Sequence, residues 1–269
     1  MFQKINVSDR ILSQDIFIAD EVQYNLIHLI CESKSSTCLK DSDETMIYAQ
    51  STGHNAWLWS SKDIVEDKKA VLYEELIEFL KETTLPGVSG EPKTTERFAQ
   101  LYSQANHLQY ESTMTIESYF CTDPKKPLNV KGTMQQATRK NLAIVAEFLA
   151  GFSEGAYGVR VNPEAKILDA KRMIETGDLY RWFVDDKPVS MAYIAHRSAR
   201  YSRLNAVYTP PSCRKKGYAS ALVAELCSVL LSENLVPMLY ADLKNPDSNK
   251  VYRNIGFVES GKIVDIKFK

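Results

Sequence analysis

The sequence predicts an α/β protein in two lobes, and three observations carry that expectation. The chain has 269 residues, more than one small core usually organises. Strand-like and helix-like periodicities alternate along most of it. Residues 121–133, CTDPKKPLNVKGT, hold two prolines, a glycine and three lysines, the composition of a linker. The expected domains are therefore 1–128, an α/β lobe, and 129–269, a second lobe.

In the first lobe TMIYAQ and AWLWS read as short strands around a Ser-Thr-Gly turn, and AVLYEELIEFLKE and PKTTERFAQLYSQA as amphipathic helices. YESTMTIESYF alternates small polar with larger apolar residues, as a half-buried strand does. In the second lobe QQATRKNLAIVAEFLAGFSEG has Leu142, Val145, Leu149 and Phe152 at helical spacing, and a further helix follows in PEAKILDAKRMIETG. LYRWFVDD and PVSMAYIAH form a hairpin, and RLNAVYT the next strand. ASALVAELCSVLLSEN is a helix with Leu222, Leu226, Val229 and Leu230 on one face. VPMLYADL is a strand, PDSNKVYRN a short helix stopped at Gly256, and KIVDIKF a closing strand.

Composition narrows the function. Apolar residues make up 44% and charged residues 25%, as in ordinary globular proteins. Thirty-three Lys and Arg nearly cancel 34 Asp and Glu, so no global field draws the chain to nucleic acid or anionic lipid. Any anion site must be local. Cys31, Cys38, Cys121, Cys213 and Cys227 include no C-x-x-C pair, which argues against a disulfide framework and against zinc, and fits a reducing cytoplasm. The N-terminal stretch has no continuous apolar region of a signal peptide, and LAIVAEFLAGF, interrupted by Glu147, is too short for a bilayer. The expected partners exclude nucleic acid and membrane and leave a homodimer open.

One segment carries chemistry. In VYTPPSCRKKGYASALVAEL a strand ends, a turn holds Arg214, Lys215, Lys216 and Gly217, and a helix starts at Tyr218. Free N–H groups of a helix's first turn and the positive end of its dipole converge on one spot, which suits an anion. Gly217 would let the backbone approach it or take a positive φ, and Ala219 is also small. The plainer alternative is a strand-to-helix turn with solvated basic residues.

The segment resembles the coenzyme-binding stretch of the Gcn5-related N-acetyltransferase (GNAT) superfamily, whose [RQ]-x-x-G-x-[GA] pattern falls on Arg214, Gly217 and Ala219. Downstream, YADLKNPDSNKVYRNIGF is similar to the same superfamily's next strand and helix: N-x-x-[AS]-x-x-x-Y falls on Asn245, Ser248 and Tyr252, and the G-[FY] ending on Gly256 and Phe257. The resemblance covers roughly residues 130–269. Over the whole length the chain is similar to a bacterial two-lobed subgroup with a divergent N-terminal half.

That resemblance implies a mixed, mostly antiparallel sheet flanked by helices in the second lobe. It implies acetyl-CoA as cosubstrate, an unidentified primary amine as acceptor, and direct attack of the amine on the thioester, with no metal. It assigns Arg214, Lys215, Lys216, Gly217, Tyr218 and Ala219 to the phosphates, and the backbone near Val207 and Tyr208 to the pantetheine arm and, through one amide, to the acetyl carbonyl, with Thr209 and Ser220 also binding the coenzyme. Asn245 and Ser248 would hold the coenzyme, with Asn245 on a pantetheine amide, and Tyr252 would protonate the leaving thiolate. Many members place a glutamate on the strand before the coenzyme turn, but RYSRLNAVY has none; Glu147 and Glu154 on the preceding helix are the substitutes, beside the plainer reading of exposed helix carboxylates. A non-catalytic acyl-CoA-binding module with the same fold is the alternative function.

Other motifs compete. GFSEG, residues 151–155, matches the G-x-S-x-G nucleophile elbow, whose serine must follow a strand on a sharp turn; here it follows a helical repeat. His28, His54, His107 and His196 have no metal-ligand spacing. Arg197, Arg200 and Arg203, with Tyr201 among them, suit a hairpin lip or an acidic part of a ligand better than a nucleic acid. Trp57 and Trp59 offer an aromatic wall for an acceptor, or core packing.

Overall fold

The computed structural model describes residues 1–269. Its contacts divide the chain into two units, one of Met1–Ser118, Asp242–Lys244 and Glu259–Lys269, the other of Tyr119–Ala241 and Asn245–Val258. The expected boundary after residue 128 falls inside the second unit. The closing strand, expected in the second lobe, pairs antiparallel with a first-unit strand from Val264–Gly90 to Lys267–Gly87.

The first unit carries β1 (Phe2–Lys4), β2 (Ser36–Asp41), β3 (Met46–Ser51), β4 (Ala56–Ser60), β5 (Gly87–Gly90), β6 (Tyr110–Phe120) and β12 (Val258–Phe268), in the order β1-β2-β3-β4-β5-β12-β6. Its helices are α1 (Asp15–Ile18), α2 (Glu21–Tyr24), α3 (Leu26–Glu32), α4 (Glu66–Phe79) and α5 (Pro92–Asn106). All five residues of β4 are buried, which is why its sequence lacks alternation: both faces of a covered strand need apolar side chains. This corrects one expectation. Trp57 and Trp59 are core, with Trp59 fully buried and its Nε1 donating to Asp20 Oδ2 at 3.1 Å, so neither presents an aromatic wall.

The second unit orders β11 (Val236–Asp242), β10 (Tyr201–Tyr208), β9 (Lys187–Arg197), β8 (Leu179–Val184) and β7 (Thr133–Gln136) side by side. Pairings from β7 to β10 are antiparallel, while β10 and β11 are parallel and so need a crossover. That crossover is α8 (Tyr218–Ser232). Its Leu222, Leu226 and Leu230 pack with Ile194, Leu204 and Leu239 of the sheet and with Ile255 of α9 (Pro246–Ile255). The opposite face is covered by α6 (Leu142–Tyr157) and α7 (Ile167–Glu175), where Val145, Phe148, Leu149 and Ile174 meet Leu179, Met191 and Ala206. This is a mixed α/β layer with a mostly antiparallel sheet, as the family resemblance implies.

The helix expected from residue 135 starts later. Thr138 and Asn141 form a capping box, with Thr138 N–H donating to Asn141 Oδ1 at 2.8 Å, and the glutamines before it join β7. At the other end α9 stops at Gly256, whose φ is +107° and where a Cβ would sit 2.6 Å from the Asp123 carbonyl oxygen. No helix is long and apolar enough to cross a membrane.

Candidate functional site

The site begins where β10 and β11 part. Their parallel register runs from Tyr201–Val236 to Arg203–Met238, leaving Leu204–Tyr208 to diverge from the rest of β11. On its other side β10 shifts register against β9 between Asn205 and Tyr208, and within that bulge Ala206 has φ +48°. Asn205 Oδ1 accepts the Ala206 N–H at 2.7 Å. The diverging strands leave β10 backbone groups without a β11 partner, in a position to bind an extended amide-bearing chain.

Beyond the bulge the chain is tied down. Ser190 Oγ, fully buried on β9, donates to the Tyr208 carbonyl at 3.0 Å and lies 2.9 Å from Thr209 Oγ1; Arg214 Nε donates to the Thr209 carbonyl at 3.0 Å. The turn then passes through a 3-10 segment, Pro211–Cys213, and left-handed Lys215 and Gly217 at φ +62° and +80°. A Cβ on Gly217 would also sit 2.8 Å from Val130 Cγ2. Arg214, Lys215 and Lys216 are exposed. The first bond of α8 runs from Ala221 N–H to the Gly217 carbonyl at 2.9 Å, so the N–H groups of Tyr218, Ala219 and Ser220 precede the helical ladder. All three residues are half-buried. Basic side chains, free amides and a helix dipole thus meet at one place, which suits a pyrophosphate.

Across the unit, Asn245 caps α9 by accepting the Ser248 N–H on Oδ1 at 3.1 Å, which leaves its Nδ2 as the donor for a ligand carbonyl. Tyr252 is 8% exposed, with its ring 6.2 Å from that of Tyr119 and 5.8 Å from that of Phe257. Burial pushes its hydroxyl pKa up, so it stays protonated. Val207, Cys213 and Tyr218 pack against the apolar cluster that contains Tyr252. Val207, Tyr218 and Tyr252 therefore share the side of the sheet that carries α8 and α9.

Tyr208 points the other way, toward α6. A Cβ on Gly151 would lie 2.1 Å from its hydroxyl, and Phe148 meets it edge to face at 5.7 Å. Burial raises the Tyr208 pKa, with Arg214 opposing and Glu147 and Glu154 adding to the rise. Both glutamates are exposed, and Glu154 pairs with Arg160 at 2.5 Å. The G-x-S-x-G match lies inside α6: Ser153 is buried with Oγ donating to the Leu149 carbonyl at 3.0 Å, so it is no nucleophile elbow, and Gly151 serves to admit Tyr208.

The arginines of the β9–β10 hairpin separate. Arg197 bridges Asp178 at 2.8 Å and Glu233 at 3.1 Å, whereas Arg203 is 9% exposed and its Nε has no hydrogen-bond partner. Sequence reasoning also missed Ser190 and the Asn205–Ala206 bulge, because neither has a local motif. Four of the five free cysteines, scattered in sequence, come together in two pairs that perturb each other's thiols, Cys31 with Cys38 and Cys121 with Cys227.

Residues 183–264 match the family model for FR47-like protein, a span holding the bulge, the basic turn, Asn245 and Tyr252. Solved structures share the fold across the whole chain. A GNAT-family acetyltransferase from Colwellia psychrerythraea aligns with TM-score 0.60 at 14% identity, covering 100% of both chains. A GCN5-related N-acetyltransferase from Sphaerobacter thermophilus aligns with TM-score 0.61 at 11% identity, covering 100% of this chain and 95% of that one. A Drosophila protein aligns with TM-score 0.65 at 12% identity, covering 100% and 98%. No curated protein matches. At these identities the likeness is one of fold.

Proposed function

We propose that this chain, which has the fold of the GNAT superfamily, is an N-acetyltransferase that moves an acetyl group from acetyl-CoA to a primary amine by direct attack on the thioester. The observation that supports it is the parting of β10 from β11 after Arg203–Met238, followed by left-handed Ala206 and a basic turn at the start of α8. In this reading the diverging edge of β10 around Val207 and Tyr208 takes the pantetheine arm. An N–H aimed at the thioester oxygen stabilises the developing oxyanion by roughly 3 kcal/mol. Asn245 Nδ2 donates to a pantetheine carbonyl. Thr209, Ser220 and Ser248 line the path, and Arg214 to Ala219 take the phosphates. Tyr252, kept protonated by burial, gives its proton to the departing thiolate.

Calorimetric titration with acetyl-CoA, paired with thiol release over a panel of amines, amino acids and peptides, tests the reading. Binding in the micromolar range that Gly217→Glu abolishes, with thiol released only when an accepted amine is present, is expected. A folded Gly217→Glu protein that titrates acetyl-CoA like the parent would overturn it.

A further inference from the structure

We infer that Arg203 is the recognition point for a carboxylate on the acceptor, so that the amine substrate is an amino acid or a short peptide with its free carboxylate near the amine. The inference rests on the transferase reading above and names its substrate class.

Three observations carry it. First, Arg203 is 9% exposed, and its Nε is buried without a hydrogen-bond partner. A buried guanidinium is ordinarily paired, because desolvating a charge without compensation is costly. Here the groups acting on it electrostatically are the tyrosines Tyr240, Tyr157 and Tyr193, and no carboxylate is among them. The neighbouring Arg197 has two carboxylates, and the buried Arg181 has Asn141 on Nη2 at 2.5 Å and the Phe183 ring at 4.6 Å from Cζ. Arg181 also leaves Nε and Nη1 without hydrogen-bond partners, but of the three only Arg203 has neither an ion pair, nor a side-chain hydrogen bond, nor a ring against its guanidinium.

Second, the residue stands at the vertex of the cleft, since Arg203–Met238 is the last registered pair before β10 and β11 part. Leu204, next along, belongs to the core under α8, which places Arg203 on the opposite face; the nearby Tyr157 ends α6, and Tyr193 packs with the α6 cluster. The side chains of Val207, Tyr218 and Tyr252 lie on the α8 side. An amine approaching the thioester from the α6 side therefore passes the guanidinium.

Third, the place opens outward. Tyr157 is 58% exposed, Asn205 is exposed, and Tyr193 and Tyr240 are half-buried. One guanidinium whose electrostatic neighbours are tyrosines matches a single negative charge with two acceptor oxygens, which a planar fork binds bidentately. A phosphate, carrying up to two charges, would need a further cation.

The test compares, in the parent protein with saturating acetyl-CoA, thiol release with glycine, phenylalanine and glycylglycine against glycinamide, phenylalaninamide and phenethylamine. Calorimetry with N-acetylglycine and N-acetylphenylalanine in the presence of CoA gives a readout free of turnover. Both are repeated with Arg203→Lys and Arg203→Met. The expected result is a preference of about 10- to 100-fold in kcat/KM for free carboxylates over amides, the range of a hydrogen bond to a charged group, lost in Arg203→Met and partly kept in Arg203→Lys. Amides used as well as acids would overturn the inference and leave the transferase reading standing. Arg203-dependent binding of N-acetyl amino acids without thiol release from any amine would keep the carboxylate site and remove the transferase reading. Should Arg203→Met fail to fold, the acid-to-amide comparison in the parent decides; no preference there and no binding of either N-acetyl amino acid overturns the inference.

Discussion

Asn205 holds Ala206 in a conformation that alanine does not choose: Asn205 Oδ1 accepts the Ala206 N–H at 2.7 Å, and Ala206 has φ +48°. A left-handed non-glycine residue costs about 1 kcal/mol, so the bulge is a stored strain held by one hydrogen bond and by the ladder on either side. Ala206→Gly is expected to stabilise the protein by up to about 1 kcal/mol, since glycine takes this φ freely. Asn205→Ala, at an exposed position, should destabilise by about 1 kcal/mol and weaken acetyl-CoA binding together. Urea denaturation and calorimetry check the pair; an Asn205→Ala protein with unchanged affinity would separate the bulge from the coenzyme.

Gly217 answers to two demands at once. Its φ of +80° strains any other residue, and a Cβ would press on Val130 Cγ2 at 2.8 Å. Gly217→Ala is expected to lose roughly 1 to 2 kcal/mol of stability and, by displacing the first amides of α8, to weaken acetyl-CoA binding severalfold. Circular dichroism melts together with titration separate the effects. If Val130→Ala restores the affinity of Gly217→Ala, the contact with Val130 rather than φ dominates.

Cys213 is the only half-exposed cysteine among four buried ones. It should alkylate first in the native protein and be protected by acetyl-CoA, because it sits at the turn that would hold the phosphates. The thiols of Cys31, Cys38, Cys121 and Cys227 should react only as the protein unfolds. Mass-spectrometric mapping with and without acetyl-CoA reads both, and equal labelling of Cys213 in the two states would place it away from the coenzyme.

Stability should fall on the alkaline side. Burial raises the hydroxyl pKa values of Tyr24, Tyr48, Tyr73 and Tyr252 from the ordinary 10.0. Below pH 10 these groups are protonated both folded and unfolded and make no difference; above it the unfolded chain releases protons that the folded one keeps. The unfolded state then binds fewer protons, so the free energy of unfolding decreases as pH rises from 10 toward the raised folded values. Urea midpoints between pH 8 and 11 would show a plateau followed by a decline, and Tyr48→Phe should soften the decline. A flat profile through pH 11 would contradict the burial of these hydroxyls.

The elements with strong periodicity were legible: α4, α5, α8, the β8–β9 hairpin and β10 lie where the sequence puts them, because amphipathic faces and turn residues agree. Local patterns could not reveal β5, whose sequence Gly-Val-Ser-Gly looks like a loop. Its glycines answer to tertiary contacts, a Cβ on Gly87 lying 2.2 Å from the Ile266 carbonyl and one on Gly90 2.6 Å from that of Leu58. The four-residue helices α1 and α2 are too short for a periodic signal. At the site, the glycine turn and α9 carry local chemistry and could be read directly. The isolation of Arg203 could not, because it depends on which partners the other arginines take.

Tyr252→Phe is the decisive substitution for the chemistry. Its ring is locked between Tyr119 and Phe257, so removing one oxygen leaves the packing intact. With the hydroxyl buried and its pKa raised, the group stays protonated across the whole neutral range and contributes no ionisation of its own to the pH profile below 10. A thiol leaving group is tolerable unassisted, its pKa near the 8.5 or so of a cysteine, so the acid supplies part of the rate only. The expected loss in kcat is about 10²-fold, at the lower end for general acid catalysis, with acetyl-CoA affinity nearly unchanged. The deficit should shrink with a thioester whose thiol is more acidic, because a better leaving group needs less protonation. Parent-like kcat under conditions where chemistry limits turnover would reduce Tyr252 to a core aromatic and require another proton source for the thiolate.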